Sequence, residues 1–531
     1  MTALKNYKNY KEMKHNKLFS GLIVMLSAVV ITSCSDSFLN VTPKGESLES
    51  NYYSNPSEAF AGLVAAYSAL NTETGNTYCS PLGPENSASD DCFAGGGGPS
   101  DMSQWQAMNN MTQLTSANMP VDMWNTNFVG VKQCNLLLSK IDGVPGLSDQ
   151  DKTGYTAECK FLRAYYYFNL VVWFGNVPLF TTPQTTAQIY AATQAKPADV
   201  YAQIEKDLTD AIPNLPVTVP AAENGRATQG AAEALLGKVY LYEKKWADAA
   251  KELADVNGTT PGGTSRFGYH LLANYGDIFN PNNKFNAESI FEVQKTSSQS
   301  YGWGNWGQFK SNVYSIMVGP RGYSRTGSNS TAPNFLSGWS FNPITPDLVD
   351  AMVQNGKYDP RYKYTVINLD SLVNAGQCSY AKSQCYAATG YFMAKYAPLL
   401  QYTGAVGQKE LNFDQDLILI RLADTYLMEA EALVMANTNL PRAQALLDAV
   451  RARVGLPSVP VTMSAIKFER RMELATEGER YFDLVRWGDA PSVLNHMENG
   501  FSKQFVAGKN EVLPIPLSEL TNTKMVQNPG Y

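Results

Sequence analysis

Histidine is nearly missing from this chain. Three occur in 531 residues, and only His270 and His496 lie beyond the first 33. With two imidazoles, no CxxC pair and no HExxH pattern, a His/Cys metal centre lacks ligands, and general-base chemistry through imidazole has little to draw on. No GxSxG elbow and no P-loop lysine motif occurs. No cofactor or metal is therefore expected, and no catalytic residue. Charge is scarce at 17%, with a net of −6. An acidic balance speaks against a nucleic-acid partner, since phosphate binding needs a basic face. Beyond residue 33 no apolar run is long enough to span a bilayer. Carboxylates are plentiful, so residue types alone leave a two-acid glycoside hydrolase as an alternative.

What is present begins with a targeting segment. Lys5, Lys8, Lys11, Lys14 and Lys17 make a positive region ahead of the apolar run Leu18 to Ile31, which is too short for a good membrane span. Translation from Met1 or from Met13 is compatible with this pattern. Ile31-Thr32-Ser33-Cys34 resembles a bacterial lipobox, which implies a signal peptide over 1–33 and lipidation of Cys34. More than one acyl chain on one residue gives stable anchoring, whereas a single chain is marginal. Residues 34–57 read as a tether. Six further cysteines permit disulfides in an exported chain, the simplest scheme being Cys79–Cys92, Cys134–Cys159 and Cys378–Cys385. Buried free thiols are the alternative, above all for Cys134 and Cys159.

Apolar periodicity places helices at Ser57 to Leu70, Trp124 to Ile141, Ala157 to Trp173, Pro197 to Ile212, Gln229 to Glu243, Leu417 to Ala436 and Pro441 to Arg453. The stretch Phe468 to Trp487, FERRMELATEGERYFDLVRW, carries an apolar stripe within dense charge. Arg470 with Glu473, and Glu477 with Arg480, stand three apart and can pair. Gly478 marks a kink or a close helix approach. Leu236, Gly237, Tyr240, Ala249 and Leu253 match the tetratricopeptide spacing, in which small residues let two helices touch. Residues 71–104 read as a long polar loop with Asp90-Asp91 and the run Gly95–Gly98. Residues 257–416 are rich in Gly, Asn, Ser and aromatics with weak periodicity, the composition of binding loops on a rigid frame. The expected fold is mainly α: a scaffold of tetratricopeptide-like hairpins with a large irregular insertion.

Several segments resemble one family. AECKFLRAYYYFNLVVWFGNVPL resembles the N-terminal signature helix of SusD/RagB-type nutrient-binding lipoproteins, and ERRMELATEGERYFDLVRWG resembles their C-terminal one. IRLADTYLMEAEAL, LPIP with Glu519, and the QNPGY terminus follow in the family's order. The resemblance implies an N-terminal region over 34–225 and a C-terminal region over 226–531. It also implies a surface-exposed lipoprotein of the outer membrane that captures oligosaccharide without cleaving it. The partner it implies is a SusC-like TonB-dependent transporter. A peptide- or other nutrient-binding member of the family is an alternative.

The candidate ligand-binding residues are aromatic. Gly302-Trp303-Gly304-Asn305-Trp306-Gly307 matches GxGxxG literally, but no strand precedes it, no helix follows, and two indoles would obstruct a pyrophosphate. Indoles and phenols on a glycine-rich loop suit sugar rings: stiff amphipathic side chains stack on C–H faces and lose little entropy. Trp303 and Trp306 form the expected pair, with Tyr301, Trp105, Trp339, Tyr323, Arg321 and Asp101 beside them. Asp90, Asp91 and Asp101 can accept hydrogen bonds from ligand or hold their loop by Asx turns. Trp124, Trp173, Trp246 and Trp487 sit on helical faces and are expected in the core.

Overall fold

The computed structural model describes residues 53–71, 80–304, 309–497 and 502–531. The targeting segment, Cys34, Cys79 and Trp306 lie outside these residues. The chain divides after Ser54, and the architecture is that of the unit Asn55–Tyr531.

The main helices are α1 (Pro56–Ser68), α2 (Leu82–Ala88), α3 (Ser103–Asn110), α4 (Asp122–Lys140), α5 (Asp149–Phe174) and α6 (Pro197–Ala211). They continue with α7 (Gln229–Tyr242), α8 (Trp246–Asn257), α9 (Leu422–Met435), α10 (Leu440–Arg453), α11 (Met463–Leu474) and α12 (Glu479–Trp487). Their ends are set by local chemistry. The Asn55 side chain accepts the Glu58 N–H at 3.1 Å, with Pro56 inside the first turn of α1. Ser148 caps α5 and Thr228 caps α7 in the same way. At Gly175 φ is +65°, and α5 stops there.

Successive helices pack in pairs, α4 with α5, α5 with α6, α7 with α8, and α9 with α10, and α8 packs on α9 across the insertion that separates them in sequence. The helical scaffold is the one expected. In α7, a Cβ on Gly237 would lie 2.5 Å from Cγ of Leu253 on α8, so only glycine permits this approach. Trp124 and Trp173 are in the core as expected, whereas Trp246 and Trp487 are only half-buried.

Three expectations are corrected. Residues 71–104 do not form one loop, because α2 and the start of α3 lie within them. Leu417 to Arg421 is a strand, β2, antiparallel to β1 (Ser289–Val293), and only then does α9 begin. The stretch 468–487 is two helices, not one. Thr476 and Gly478 have φ of +69° and +87°, and a Cβ at 478 would meet a Glu85 carboxylate oxygen of α2 at 2.3 Å. The interruption is thus both a break and a close approach.

The charges of α11 and α12 are paired inside, but Arg470 turns to Asp424 and Asp483 and not to Glu473, and Glu477 turns to Arg421 and Lys395 and not to Arg480. Glu473 receives Arg361 at 3.0 Å and Arg421 at 2.8 Å, with Arg453 also upon it. Glu469 receives Arg361 and Arg451, both at 2.6 Å. Arg470 spans Asp424 at 2.7 Å and Asp483 at 2.8 Å. Arg361 is also held by Asp359 at 2.8 Å. Buried charges are tolerable only when paired and hydrogen-bonded to this extent. The lattice fixes the irregular insertion to the scaffold, because Asp359, Arg361 and Lys395 belong to the insertion. The Lys395 ammonium donates to Ala475 O at 2.7 Å and to Glu477 at 2.6 Å.

Within the insertion, besides β1, the ordered pieces are short helices such as Tyr314–Val318, Pro346–Ala351 and Leu369–Asn374, and two- and three-residue strand pairs: 324–325 with 378–379, 353–354 with 357–358, and 366–368 with 391–393. Cys92, Cys134, Cys159, Cys378 and Cys385 carry free thiols. Cys378 sits in a strand opposite Arg325, while Cys385 turns to Ser340 Oγ at 3.1 Å, so the expected bridge between them does not form. Among the described residues no helix is long and apolar enough to cross a membrane.

Candidate functional site

The insertion is built over a core it shares with α3 and α11, in which Trp105, Tyr314, Phe341, Ile344, Tyr396 and Met472 pack together. On that core lies one polar, aromatic corner. The loop following Ile316–Met317 is tied to residues 338–341 by backbone bonds. Trp339 N–H donates to Ile316 O at 3.0 Å, and Ser340 N–H to Gly319 O at 2.8 Å. This sets the Trp339 indole half-buried against the core. Trp303 comes in from the glycine-rich loop and stacks beside it, with ring centroids 6.1 Å apart and planes 28° apart. Trp303 is 46% exposed, unusual for an indole.

Hydrogen-bonding groups border the two rings. The Arg321 guanidinium donates to Trp339 O at 2.8 Å, and one of its nitrogens stands 3.7 Å from an Asp101 carboxylate oxygen. That oxygen accepts the Gly97 N–H at 2.8 Å, so Asp101 braces the glycine run from within its own turn. Arg321 Nε is buried with no partner in the protein. Asp101 and Arg321 keep 41% and 29% of their side-chain surface in solvent. The corner therefore offers flat apolar faces beside a carboxylate and a guanidinium, all from residues far apart in sequence.

The loop bearing Asp101 is clamped from behind. Arg480 holds Asp90 at 2.8 Å, and Arg471 holds Asp91 at 2.8 Å. The Lys503 ammonium donates to Ser87 O, Cys92 O and Asn109 Oδ1 at 2.9, 2.8 and 2.7 Å. Burial raises the Asp90 carboxyl, but the two arginines outweigh it and hold the group well below the ordinary range. Burial lowers the Lys503 ammonium to about 7. Asp90 and Asp91 are thus structural ion-pair partners.

Of the expected residues, the structure brings together Trp303, Trp339, Arg321 and Asp101. Trp306 lies outside the described residues, and Trp105, Tyr323 and Tyr301 are buried. Trp105 is fully buried, edge-on to Phe341 at 5.3 Å and against Gly83, where a Cβ would fall 1.9 Å from the indole. It has no face to offer a ligand. Tyr323 is buried, with its hydroxyl donating to Pro333 O. Tyr301 is buried edge-on to Phe309 at 5.3 Å, and burial raises its phenol. One exposed ring escapes sequence reasoning. Tyr386, 39% exposed, belongs to a segment whose backbone bonds Gly96 O at 2.9 Å through its own N–H, and Arg321 O at 2.9 Å through that of Ala381. No periodicity marks it in the chain.

Comparison with known proteins agrees with this architecture. Residues 287–531 match the model described as SusD family, and 66–241 match one described as starch-binding associating with outer membrane. A solved laminarin-binding SusD-like protein is 47% identical with a TM-score of 0.83, the alignment covering 90% of this chain and all of that one. Surface glycan-binding protein A from Bacteroides thetaiotaomicron, solved with laminarihexaose, is 26% identical with a TM-score of 0.78, over 89% of this chain and 99% of that one. The starch-binding protein SusD of the same organism is 24% identical over 481 residues, 80% of this chain and 82% of that protein. The chain belongs to the SusD family.

Proposed function

We propose that this protein is a glycan-capturing protein of the outer-membrane surface, that its ligand is a laminarin-type β-glucan, and that the Trp303–Trp339 platform with Asp101 and Arg321 receives it. The observation that carries the reading is the exposed indole pair, stacked at 6.1 Å beside a carboxylate and a guanidinium. Indole faces desolvate the C–H faces of successive sugars, while the charged groups select their hydroxyls. The 47% identity to a laminarin-binding protein supports this ligand over starch, the ligand of the more distant SusD. Tyr386 is placed to extend the platform. The bound glycan leaves uncleaved. Lipid on Cys34 holds the protein at the membrane, and a SusC-like TonB-dependent transporter takes the ligand on.

Calorimetry with laminarihexaose tests the ligand. Trp303→Ala and Trp339→Ala should each weaken binding by about tenfold, equivalent to ~1.4 kcal/mol. Wild-type affinity for maltohexaose equal to or above that for laminarihexaose would reject the β-glucan assignment. Laminarin incubated with protein should release no new reducing ends; steady release would make the protein a hydrolase. Cys34→Ser should move the protein out of the membrane fraction, and retention there would remove the lipid anchor from the proposal.

A further inference from the structure

Cys134 of α4 and Cys159 of α5 are both wholly buried, and the ligand corner uses neither. Contacts between the two helices fix how they face. Asn169 Nδ2 donates to Asn127 Oδ1 at 3.2 Å, and the Arg163 guanidinium donates to Asn135 Oδ1 at 2.7 Å. Between these, a Cβ on Gly130 would fall 2.3 Å from the Tyr166 ring, so the helices approach here as only a glycine permits. Asn127, Gly130 and Cys134 step by three and four along α4, and Cys159, Arg163 and Tyr166 step by four and three along α5. Each set therefore lies on one face of its helix, and the two faces meet. The two thiols stand opposed and are hydrogen-bonded to each other.

Thiols elsewhere in the chain have other company. Cys378 lies in a strand opposite Arg325, and Cys385 turns to Ser340 Oγ. A disulfide needs Cα atoms about 4.4–6.8 Å apart, closer than the usual helix separation of about 8–10 Å. The Gly130 contact, one turn from Cys134, draws the helices together at this point. Once they have closed, the hydrogen bond from Cys134 and then burial push the Cys159 thiol well up, and thiolate for exchange is scarce. The bond therefore has to form before α4 and α5 shut. One thiolate attacks a small disulfide and displaces one thiol; the other attacks the resulting mixed disulfide and displaces the second. The cysteines are oxidised, the small disulfide is reduced to two thiols, and the two cysteine protons end on those leaving groups.

We propose that Cys134 and Cys159 form a disulfide that staples α4 to α5 when the chain folds in an oxidising compartment. The outer-membrane location proposed above supplies such a compartment. Full chain produced in an oxidising compartment, denatured in excess iodoacetamide without reductant and digested with trypsin, tests the pairing. Lys132, Lys140, Lys152 and Lys160 place the two cysteines in separate peptides, 133–140 and 153–160. These should be recovered joined, lighter than their sum by two hydrogens, and should part on reduction. Full chain produced in a reducing cytoplasm should give both peptides alkylated. The oxidised form should melt a few degrees above the reduced form, because the bond restricts the unfolded chain. None of these readouts involves a glycan, so they fail independently of the ligand assignment. Both peptides alkylated in protein from the oxidising compartment, either cysteine joined to a different one, or a melting temperature unmoved by reduction would each overturn the proposal.

Discussion

At the scale of single residues, exposure separates tryptophans that composition treats alike. Trp303 presents nearly half its surface to solvent, and Trp105 none. Truncating a buried indole leaves a cavity that costs about 3–5 kcal/mol. Trp105→Ala is expected to lower the melting temperature sharply, whereas Trp303→Ala is expected to leave it almost unchanged. Calorimetric melts of the two variants check this, and equal losses would place Trp303 in the core. Trp303, Trp339, Arg321 and Asp101 are legible singly, because an indole or a charge in a glycine-rich stretch has few structural uses. Their grouping is not. Trp303 finds a ring partner at Trp339, far along the chain, and backbone bonds between loops decide that. Trp105 reads as loop because a glycine run precedes it. Its burial depends on Gly83 in another helix, and no local pattern reports such a contact.

At the scale of elements, helices are legible wherever an apolar stripe keeps its period, as in α4, α5, α7 and α10. The exceptions have physical reasons. β2 is apolar up to Arg421 and α9 is buried along nearly its whole length, so a five-residue strand runs into a helix with no turn residue to separate them. In α11 the three-residue spacing of Arg470 and Glu473 suggests a surface pair, but burial makes Glu469 and Glu473 serve arginines from other elements. Glu473 illustrates the cost of breaking such a set. Glu473→Gln leaves Arg361, Arg421 and Arg453 short of negative charge in the interior, a change of about 3–5 kcal/mol. Chemical denaturation should show a lower midpoint of that size; a change within error would mean the cations find water. Asp90→Asn acts on a different element. It frees Arg480 and loosens the segment that carries Asp101. The expected result is weaker laminarihexaose binding with the platform indoles intact, read by calorimetry on that variant.

At the scale of the whole molecule, two sets of buried acids respond to pH in opposite senses. Asp90 and Glu473 are held well below the ordinary carboxylate range by their arginines. They stabilise the fold above about pH 4, the unfolded value, and that contribution is lost as pH falls. Glu85 and Glu292 are pushed up to about 8, chiefly by burial. The folded state then holds more protons than the unfolded one between about pH 4 and pH 8, so stability falls as pH rises through that window. Melting temperatures should pass through a maximum on the mildly acidic side, and Glu85→Gln should flatten the limb above it. A maximum at alkaline pH would contradict the assignment.

The buried ion lattice also dictates an order of events. A polypeptide threaded through a membrane N-terminus first delivers Arg361 and Arg421 while Glu469 and Glu473 are still on the other side. Until α11 arrives, Arg361 has Asp359 while Arg421 and Arg453 share Glu288, so the middle of the molecule holds more cations than counterions. Completion of the chain therefore acts as a timer: a truncated product ending before α11 should remain open to proteases, and the Trp303–Trp339 corner can assemble only when the chain is nearly complete.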